Sequence, residues 1–349
     1  MLTKLTLAAC AALAAAPVCA AEPQLIEPDN PQIQYTGRID FKNPKLPRFD
    51  WGNVSIAASF NGKTIGVKLK DTTNDYNAFI DGKLVKVISA DGDKTYLIEG
   101  LEEGNHTLLL TKRTSSSFGI GRFAGLVLDN GAKLLPPPAR PKHKIEVVGD
   151  SFSVGFGNEG PAKCDNLRPY ENGYLSYSAI AARALDAEVH ITAVSGTGMV
   201  RNWAAPEQTS PNPMPSYFDR TVHNDEASKW DFSSWIPEAV VINLGNNDYS
   251  TKPNPEHELY VGRYLEFIAR IRSYYGNVPV FCMGRDFYMA HVADAVKRAN
   301  DGGDKNVFLV KYVHDGEKDG YGCALHPSVK SQQKIADALV TGMRAALNW

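Results

Sequence analysis

Short apolar runs with an alternating pattern characterise the chain between about residues 32 and 134. Hydrophobic and polar side chains alternate along these runs, and pairs such as Asn61-Gly62 and Asp81-Gly82 separate them. Alternation of this kind buries one face of a strand, and such pairs favour tight hairpin turns. The pattern predicts an antiparallel β-sandwich domain of jelly-roll-like form over residues 32–134. Its strands are expected near residues 54–60, 64–69, 77–80, 106–111 and 123–128.

The pattern changes after residue 143, where short continuous apolar runs alternate with longer segments of helical periodicity. Such runs are typical of strands that are buried on both faces. The alternation predicts an α/β domain with three α/β/α layers and a five-stranded parallel sheet over residues 144–349, joined to the first domain by a proline-rich linker at 135–143. The strands are expected near 144–149, 188–194, 239–245, 278–284 and 306–313, and the helices near 172–186, 255–275, 289–300 and 328–346.

Composition narrows the class of partner. The chain has 349 residues, of which 43% are hydrophobic, and this is enough for a sizeable core. Its 37 Lys and Arg residues nearly balance its 39 Asp and Glu residues, so the net charge is −2. Such a balance provides no field to attract nucleic acid or an anionic membrane surface. We therefore expect neither as a partner, while the oligomeric state stays open.

The first twenty residues have the pattern of a secretory signal peptide. Lys4 precedes an apolar run, and small residues follow at the expected cleavage position. We therefore expect a secreted or periplasmic protein. Lipidation at Cys10 is disfavoured, because only five residues separate it from Lys4.

Cysteine number limits the possible disulfides. Removal of the signal peptide would leave Cys164, Cys282 and Cys323. An odd number in an oxidising compartment allows one bridge with one free thiol, or no bridge at all. The alternative is that all three are small buried hydrophobic residues.

Four short blocks place reactive residues next to predicted strands and helices. Ser151 follows the first strand of the second domain in Gly149-Asp150-Ser151, Gly196 follows the second strand and Asn247 the third. His326 precedes the last helix. Because the carboxyl ends of parallel strands meet at one edge of a sheet, we expect these residues to converge there. A serine nucleophile, two oxyanion donors and a histidine base are the parts of an acyl-transfer site.

Each of these residues also has a structural interpretation. A serine at a strand end is often a helix cap, a glycine there is often a turn residue, and an asparagine commonly forms an Asx turn. Gly198 is an alternative to Gly196, Asn246 to Asn247, and His314 to His326. The four blocks together, in this order, favour the catalytic interpretation.

The order Ser, Gly, Asn, His resembles the SGNH, or GDSL-type, hydrolases. Together with the preceding sandwich, the mature chain resembles carbohydrate esterase family 2, and the stretches 155–160, 172–177 and 198–202 are similar to that family as well. The resemblance implies a serine esterase that removes O-acetyl groups from plant-wall polysaccharides such as xylan or glucomannan. A short-chain lipase or thioesterase of the same superfamily, or a glycan-binding protein with vestigial activity, is the alternative.

The resemblance also implies a role for each block. Ser151 would be the nucleophile and His326 the base, while the backbone of Ser151 and of Gly196 and the amide of Asn247 would form the oxyanion hole. No cofactor is implied, and the sequence has no metal-ligand motif. Four aromatic residues that follow predicted strands are candidates for binding sugar rings, although core packing is the alternative for each. They are Trp203, Tyr249, Phe287 and Tyr288.

One position departs from the superfamily pattern. SGNH enzymes usually carry an aspartate two or three residues before the histidine, and here those positions hold Ala324 and Cys323. Either a backbone carbonyl orients His326, giving a Ser-His dyad, or the acid comes from Asp315 or Asp319.

Overall fold

Two antiparallel sheets form the first part of the computed structural model, which describes residues 23–349. The predicted signal peptide lies outside the described residues. The first sheet contains β1 (Gln24–Ile26), β3 (Arg48–Phe49), β5 (Ile65–Asp71), β8 (Gly92–Ile98) and β10 (Gly121–Leu128). The second contains β2 (Gln34–Thr36), β4 (Ser55–Asn61), β6 (Asp75–Ile80), β7 (Lys83–Ser89), β9 (Asn105–Lys112) and β11 (Leu134–Leu135).

The sandwich core forms from the inward positions of the alternating strands. Ile65, Val67 and Leu69 of β5 are buried in one cluster with residues of the opposite sheet, as the alternation predicts. Strands β7 and β8 were not predicted. Most of their side chains are exposed, and even the apolar residues Leu84, Val85 and Val87 of β7 are not buried. Strand β1 begins before residue 32, where we placed the start of the domain.

A five-stranded parallel sheet forms the second domain. Its strands are β12 (His143–Gly149), β13 (Ala187–Ala193), β14 (Ala239–Asn243), β15 (Val280–Gly284) and β16 (Val307–Lys311). Their order in the sheet is β13-β12-β14-β15-β16, so the direction of winding reverses between β12 and β14. Gly149 pairs with Ala193 on one side and with Asn243 on the other, which brings three strand ends to one point. Open α/β sheets bind ligands at this point.

Six helices accompany the parallel sheet: α1 (Ser151–Val154), α2 (Tyr177–Ala184), α3 (His257–Tyr275), α4 (Met289–Asp301), α5 (Gly316–Asp319) and α6 (Val329–Ala346). Helix α2 begins five residues after the predicted start at 172. The Gly173 N–H instead donates to the Arg113 carbonyl of the sandwich, and Ser176 caps the helix by accepting from the Ala179 N–H. The predicted α/β fold class, a sandwich followed by a parallel α/β domain, is confirmed.

A buried ion pair joins the two domains. The Arg38 guanidinium of the sandwich lies 2.7 Å from a carboxylate oxygen of Glu146 in β12, and both side chains are 1% exposed or less. Glu146 also accepts hydrogen bonds from the Thr192 hydroxyl and the Tyr275 hydroxyl. A buried charge needs this degree of pairing, because transfer from water into the interior is costly. Residues of both domains therefore contribute to one buried polar cluster around Glu146.

Candidate active site

Ser151 stands at the start of a short, capped helix. Strand β12 ends at Gly149, and the Asp150 carboxylate caps α1 by accepting from the Phe152 N–H at 3.0 Å. A side chain on Gly149 would lie 2.0 Å from the Ser153 hydroxyl oxygen, so only glycine permits this sharp change from strand to helix. Ser151 is 4% exposed and lies two residues beyond the end of a central strand.

His326 lies within hydrogen-bond distance of Ser151. The Ser151 hydroxyl donates to His326 Nε2 at 2.9 Å. His326 occupies the turn before α6, whose cap is the Ser328 hydroxyl. The rings of Phe152 and Phe156 pack against the imidazole. This burial lowers the pKa of His326, which favours the neutral imidazole that a base requires.

Backbone carbonyls surround the second nitrogen of that imidazole. His326 Nδ1 lies 3.1 Å from the Cys323 carbonyl oxygen and 3.2 Å from that of Ala324, so Nδ1 carries the proton. Asp315 instead caps α5 by accepting from the Lys318 N–H.

Two further residues considered for this part of the site have other partners. Both carboxylate oxygens of Asp319 accept from the Lys334 ammonium at 2.6 Å. The alternative base, His314, packs its ring against Phe152 and has no hydrogen bond to Ser151.

Two backbone N–H groups that follow the ends of β12 and β13 have no protein acceptor in the described part of the chain. Within residues 23–349, neither the Ser151 N–H nor the Gly196 N–H donates to another protein group. Gly196 has φ +81°, and an added side chain there would meet nothing within 4 Å. The alternative, Gly198, donates its N–H to Asn202 Oδ1, and a side chain on it would lie 2.1 Å from the Arg201 carbonyl oxygen. Gly196 is therefore the better-placed donor.

The Asn247 amide already donates to two protein acceptors, Asp150 and Thr197. Its Nδ2 donates to Asp150 Oδ2 at 3.1 Å and to the Thr197 carbonyl at 2.8 Å. Asn246 has longer contacts of 3.5 Å to Asp150 and 3.4 Å to the Tyr312 hydroxyl. Burial raises the pKa of Asp150 to about 7, while the Phe152 N–H and the Asn246 amide oppose the shift. Donation from Asn247 to an oxyanion therefore requires one of its two acceptors to share the amide.

Asp248 and Arg201 organise the loop after β13, and we assigned no role to either from the sequence. The Asp248 carboxylate accepts from the N–H groups of Met199, Val200 and Arg201 at 2.7 to 2.9 Å. The Arg201 guanidinium in turn donates to backbone carbonyls of the following loop, including that of Asp248. A signal was available, because Asp248 directly follows the Asn246-Asn247 block.

The four aromatic candidates divide into two exposed and two buried residues. Trp203 is 69% exposed, and its backbone N–H donates to the Gly196 carbonyl. Phe287 is 51% exposed, and its ring packs against the Arg285 guanidinium. The prediction for Tyr288 is wrong, because the ring is fully buried and its hydroxyl bonds to another tyrosine hydroxyl. Tyr249 is 7% exposed and its ring stacks on His291, so its role in binding sugar rings stays a prediction.

Two family models match the chain. The model described as carbohydrate esterase 2 N-terminal matches residues 35–138, and the one described as GDSL-like lipase/acylhydrolase matches residues 145–339. An acetylxylan esterase / glucomannan deacetylase of Cellvibrio japonicus is 31% identical over 313 residues, which cover 85% of both chains. The chain belongs to carbohydrate esterase family 2.

Solved structures and a longer relative agree with this membership of carbohydrate esterase family 2. A family two carbohydrate esterase from Clostridium thermocellum, solved in complex with cellohexaose, matches with a TM-score of 0.84 and 33% identity over 91% of this chain and 99% of that one. A cellulase/esterase of Acetivibrio thermocellus is 34% identical over 344 residues, 95% of this chain but 41% of that protein. The chain thus spans less than half the length of that relative. Family membership makes the protein a carboxylic ester hydrolase.

Residues 23–349 contain neither a candidate metal-ion cluster nor a candidate membrane-spanning helix. No group of three or more His, Cys, Asp or Glu side chains there is arranged to hold a metal ion. None of the helices in that range combines the length and the apolar character needed to cross a bilayer.

Proposed function

We propose that this family 2 esterase removes O-acetyl groups from plant-wall polysaccharide through an acyl-enzyme formed on Ser151. The observation that carries the proposal is the hydrogen bond of 2.9 Å from Ser151 Oγ to His326 Nε2. It joins a candidate nucleophile and base, and within residues 23–349 the N–H groups of Ser151 and Gly196 have no protein acceptor. This combination is what ester hydrolysis without a cofactor requires.

Acylation begins with transfer of the Ser151 hydroxyl proton to His326 Nε2. The oxygen attacks the acetyl carbonyl carbon, and the carbonyl oxygen becomes an oxyanion beside the N–H groups of Ser151 and Gly196, with Asn247 as the third donor. The carbonyls of Cys323 and Ala324 hold Nδ1–H and support the imidazolium. His326 then returns the proton to the sugar oxygen, which leaves as a free hydroxyl.

Deacylation repeats these steps with water as the nucleophile. His326 accepts a water proton, the resulting hydroxide attacks the acetyl-serine carbonyl, and the same N–H groups stabilise the second tetrahedral intermediate. Collapse of the intermediate returns the proton to Ser151 Oγ and releases acetate. The same two side chains therefore serve both halves of the reaction.

The surroundings of the pair favour a small acyl group on a large carrier. Several surface cavities of 360 to 420 Å³ on residues 23–349 are lined by residues other than Ser151 and His326. A long acyl chain would need an apolar cavity beside the nucleophile, and these cavities do not provide it. Trp203 and Phe287 present exposed rings beside the site, and sugar rings stack on such faces. The cellohexaose complex of the Clostridium thermocellum relative supports a glycan as the carrier.

The same proposal places the protein outside the cytoplasm, secreted or periplasmic. The pattern of the first twenty residues supports export. The disulfide between Cys164 and Cys323 supports it independently, because disulfides persist in oxidising compartments. Mass spectrometry of the protein recovered from medium or periplasm tests this, and a mature chain that still carries residues 1–20 would contradict it.

The test of the function compares substrates and one matched pair of variants. We expect acetate release from acetylated xylan or glucomannan, and turnover of acetyl esters well above that of octanoyl esters. Ser151→Ala should lower kcat about 10⁴-fold, because the covalent route is lost. The control is Ser153→Ala, since Ser153 is a neighbouring buried serine bonded to the Tyr177 hydroxyl at 2.7 Å, and we expect kcat within tenfold of the wild type.

Each alternative has its own outcome in this comparison. Faster turnover of octanoyl esters or acyl thioesters would favour a lipase or thioesterase. Glycan binding with no acetate release from any substrate would favour a binding protein with vestigial activity. A Ser151→Ala variant that keeps a tenth of the wild-type kcat would remove Ser151 from the mechanism.

A further inference from the structure

The turn that supports His326 has an unusual backbone. Ala324 adopts φ 53° and ψ 39°, and Leu325 adopts φ 61°, so two successive residues with side chains are left-handed. Such a conformation costs on the order of 1–3 kcal/mol per residue and persists only where its surroundings impose it. The carbonyls of Cys323 and Ala324, which contact His326 Nδ1, belong to this turn. Some contact outside the turn must therefore hold it.

A disulfide supplies a covalent contact of this kind. Cys323 is bonded to Cys164, 159 residues earlier in the chain, and is 1% exposed. The Cys323 carbonyl accepts from both the backbone N–H and Nδ1 of His326. The residue that forms the crosslink is thus the residue that orients the proposed base.

The loop around residues 157–164 is shaped to receive Cys323. A side chain on Gly157 would lie 2.3 Å from Cys323 Cβ, and one on Gly160 would lie 2.4 Å from its sulfur. The Cys323 N–H donates to the Gly157 carbonyl at 2.9 Å, and the Ala324 N–H donates to the Ala162 carbonyl at 3.0 Å. These contacts and the crosslink hold the turn against the loop at residues 157–164.

Further contacts tie the receiving loop to the sandwich. The Arg113 guanidinium donates to the Glu159 carboxylate, and it also donates to Asn77 Oδ1 at 2.7 Å. The Glu159 carboxylate accepts from Asn172 Nδ2 at 3.0 Å as well. The loop is therefore anchored to the sandwich, and the disulfide ties the turn before His326 to this anchored loop.

We propose that the Cys164–Cys323 disulfide is a positioning element for His326, fixing the two carbonyls that stand where related hydrolases carry an aspartate. The inference rests on the proposed function, in which His326 is the base. Reduction would release the turn, and Nδ1–H would lose its fixed acceptors. Misplacement of a catalytic group by about 1 Å is enough to cost about 10²-fold in rate.

The expected signature of reduction is a loss of kcat without a change in substrate binding. With an acetyl ester, reduction by dithiothreitol should lower kcat by about 10- to 100-fold, leave KM within about threefold, and be reversed by reoxidation. The double variant C164A/C323A should show the low kcat with or without dithiothreitol. The control Cys282→Ala removes the buried thiol outside the crosslink and should respond to dithiothreitol as the wild type does.

A stability-matched variant separates positioning from simple destabilisation. Leu128→Ala removes a fully buried side chain from the sandwich core, far along the chain from the turn. It should lower Tm by about as much as C164A/C323A does. Assayed at a temperature where circular dichroism shows both proteins folded, Leu128→Ala should keep the wild-type kcat. An equal fall of kcat in both variants would overturn the proposal.

Two results distinguish the failure of this inference from the failure of the proposed function. If thiol counting shows complete reduction and kcat is unchanged while Ser151→Ala is inactive, the positioning role is wrong and the function stands. If Ser151→Ala is active, the proposed function itself is wrong, and the inference falls with it.

Discussion

Replacing Asn247 with alanine tests the least straightforward part of the site. The amide lies 3.1 Å from Asp150 Oδ2 and 2.8 Å from the Thr197 carbonyl oxygen, so it is held beside the nucleophile by two acceptors. If it shares a proton with the oxyanion, its removal should cost about 2.7–4 kcal/mol of transition-state stabilisation, or about 10²–10³ in kcat. KM should change little, because the uncharged ester carbonyl of the ground state is a weaker acceptor than the oxyanion.

The neighbouring residue provides the matched control. Asn246 has the same side chain, but its contacts of 3.5 and 3.4 Å are too long for strong hydrogen bonds. Asn246→Ala should therefore lower kcat less than about tenfold. Asn247→Ala also leaves the Thr197 carbonyl and Asp150 without this donor, so its free energy of unfolding should fall by about 1–3 kcal/mol.

The assay measures initial rates with a nitrophenyl acetate and with acetylated xylan, alongside urea unfolding of each variant. The unfolding curves give the folded fraction, so a fall in kcat is not mistaken for loss of protein. A folded Asn247→Ala variant with kcat within tenfold of the wild type would refute the assignment of the third donor. If Asn246→Ala is the damaging variant instead, the donor lies one residue earlier.

Two other predictions concern the base. Asp315→Ala and Asp319→Ala should each lower kcat less than tenfold, because neither carboxylate bonds to His326, and a collapse of kcat in either variant would replace the dyad with a triad. The acid limb of the pH profile of kcat/KM should lie below pH 6.5, the ordinary pKa of histidine, because burial lowers the pKa of His326 and protonation abolishes the base. An acid limb above pH 6.5 would contradict the direction of that shift.

The positions of the four blocks were predictable because each depends on local order along the chain. Strand β12 ends at Gly149 and helix α1 begins at Ser151. This local order places the Ser151 hydroxyl at the carboxyl edge of the sheet, independently of the rest of the fold. The same local reasoning favoured Gly196 but left Gly198 open as an alternative. Only the structure separates them, because Gly198 donates to Asn202 and Gly196 does not.

The errors and omissions come from contacts between distant residues. Tyr288 follows a strand as predicted, but the sequence does not show that its ring turns inward to Tyr312. The partner of Cys323 is 159 residues away, and the three cysteines alone do not select it. Such pairings depend on how the loops fold back over the sheet, which no local pattern encodes.

The Arg38–Glu146 pair also limits how the molecule can be divided. A catalytic fragment cut at the proline-rich stretch, residues 135–143, would keep Glu146 inside the central strand and lose Arg38. Breaking a buried pair by removing one partner costs about 3–5 kcal/mol, a large part of the stability of a typical domain. The sandwich is therefore a structural half of the hydrolase rather than a detachable accessory module. Replacing the sandwich with an unrelated glycan-binding domain would require a new partner for Glu146 or its replacement by an apolar residue.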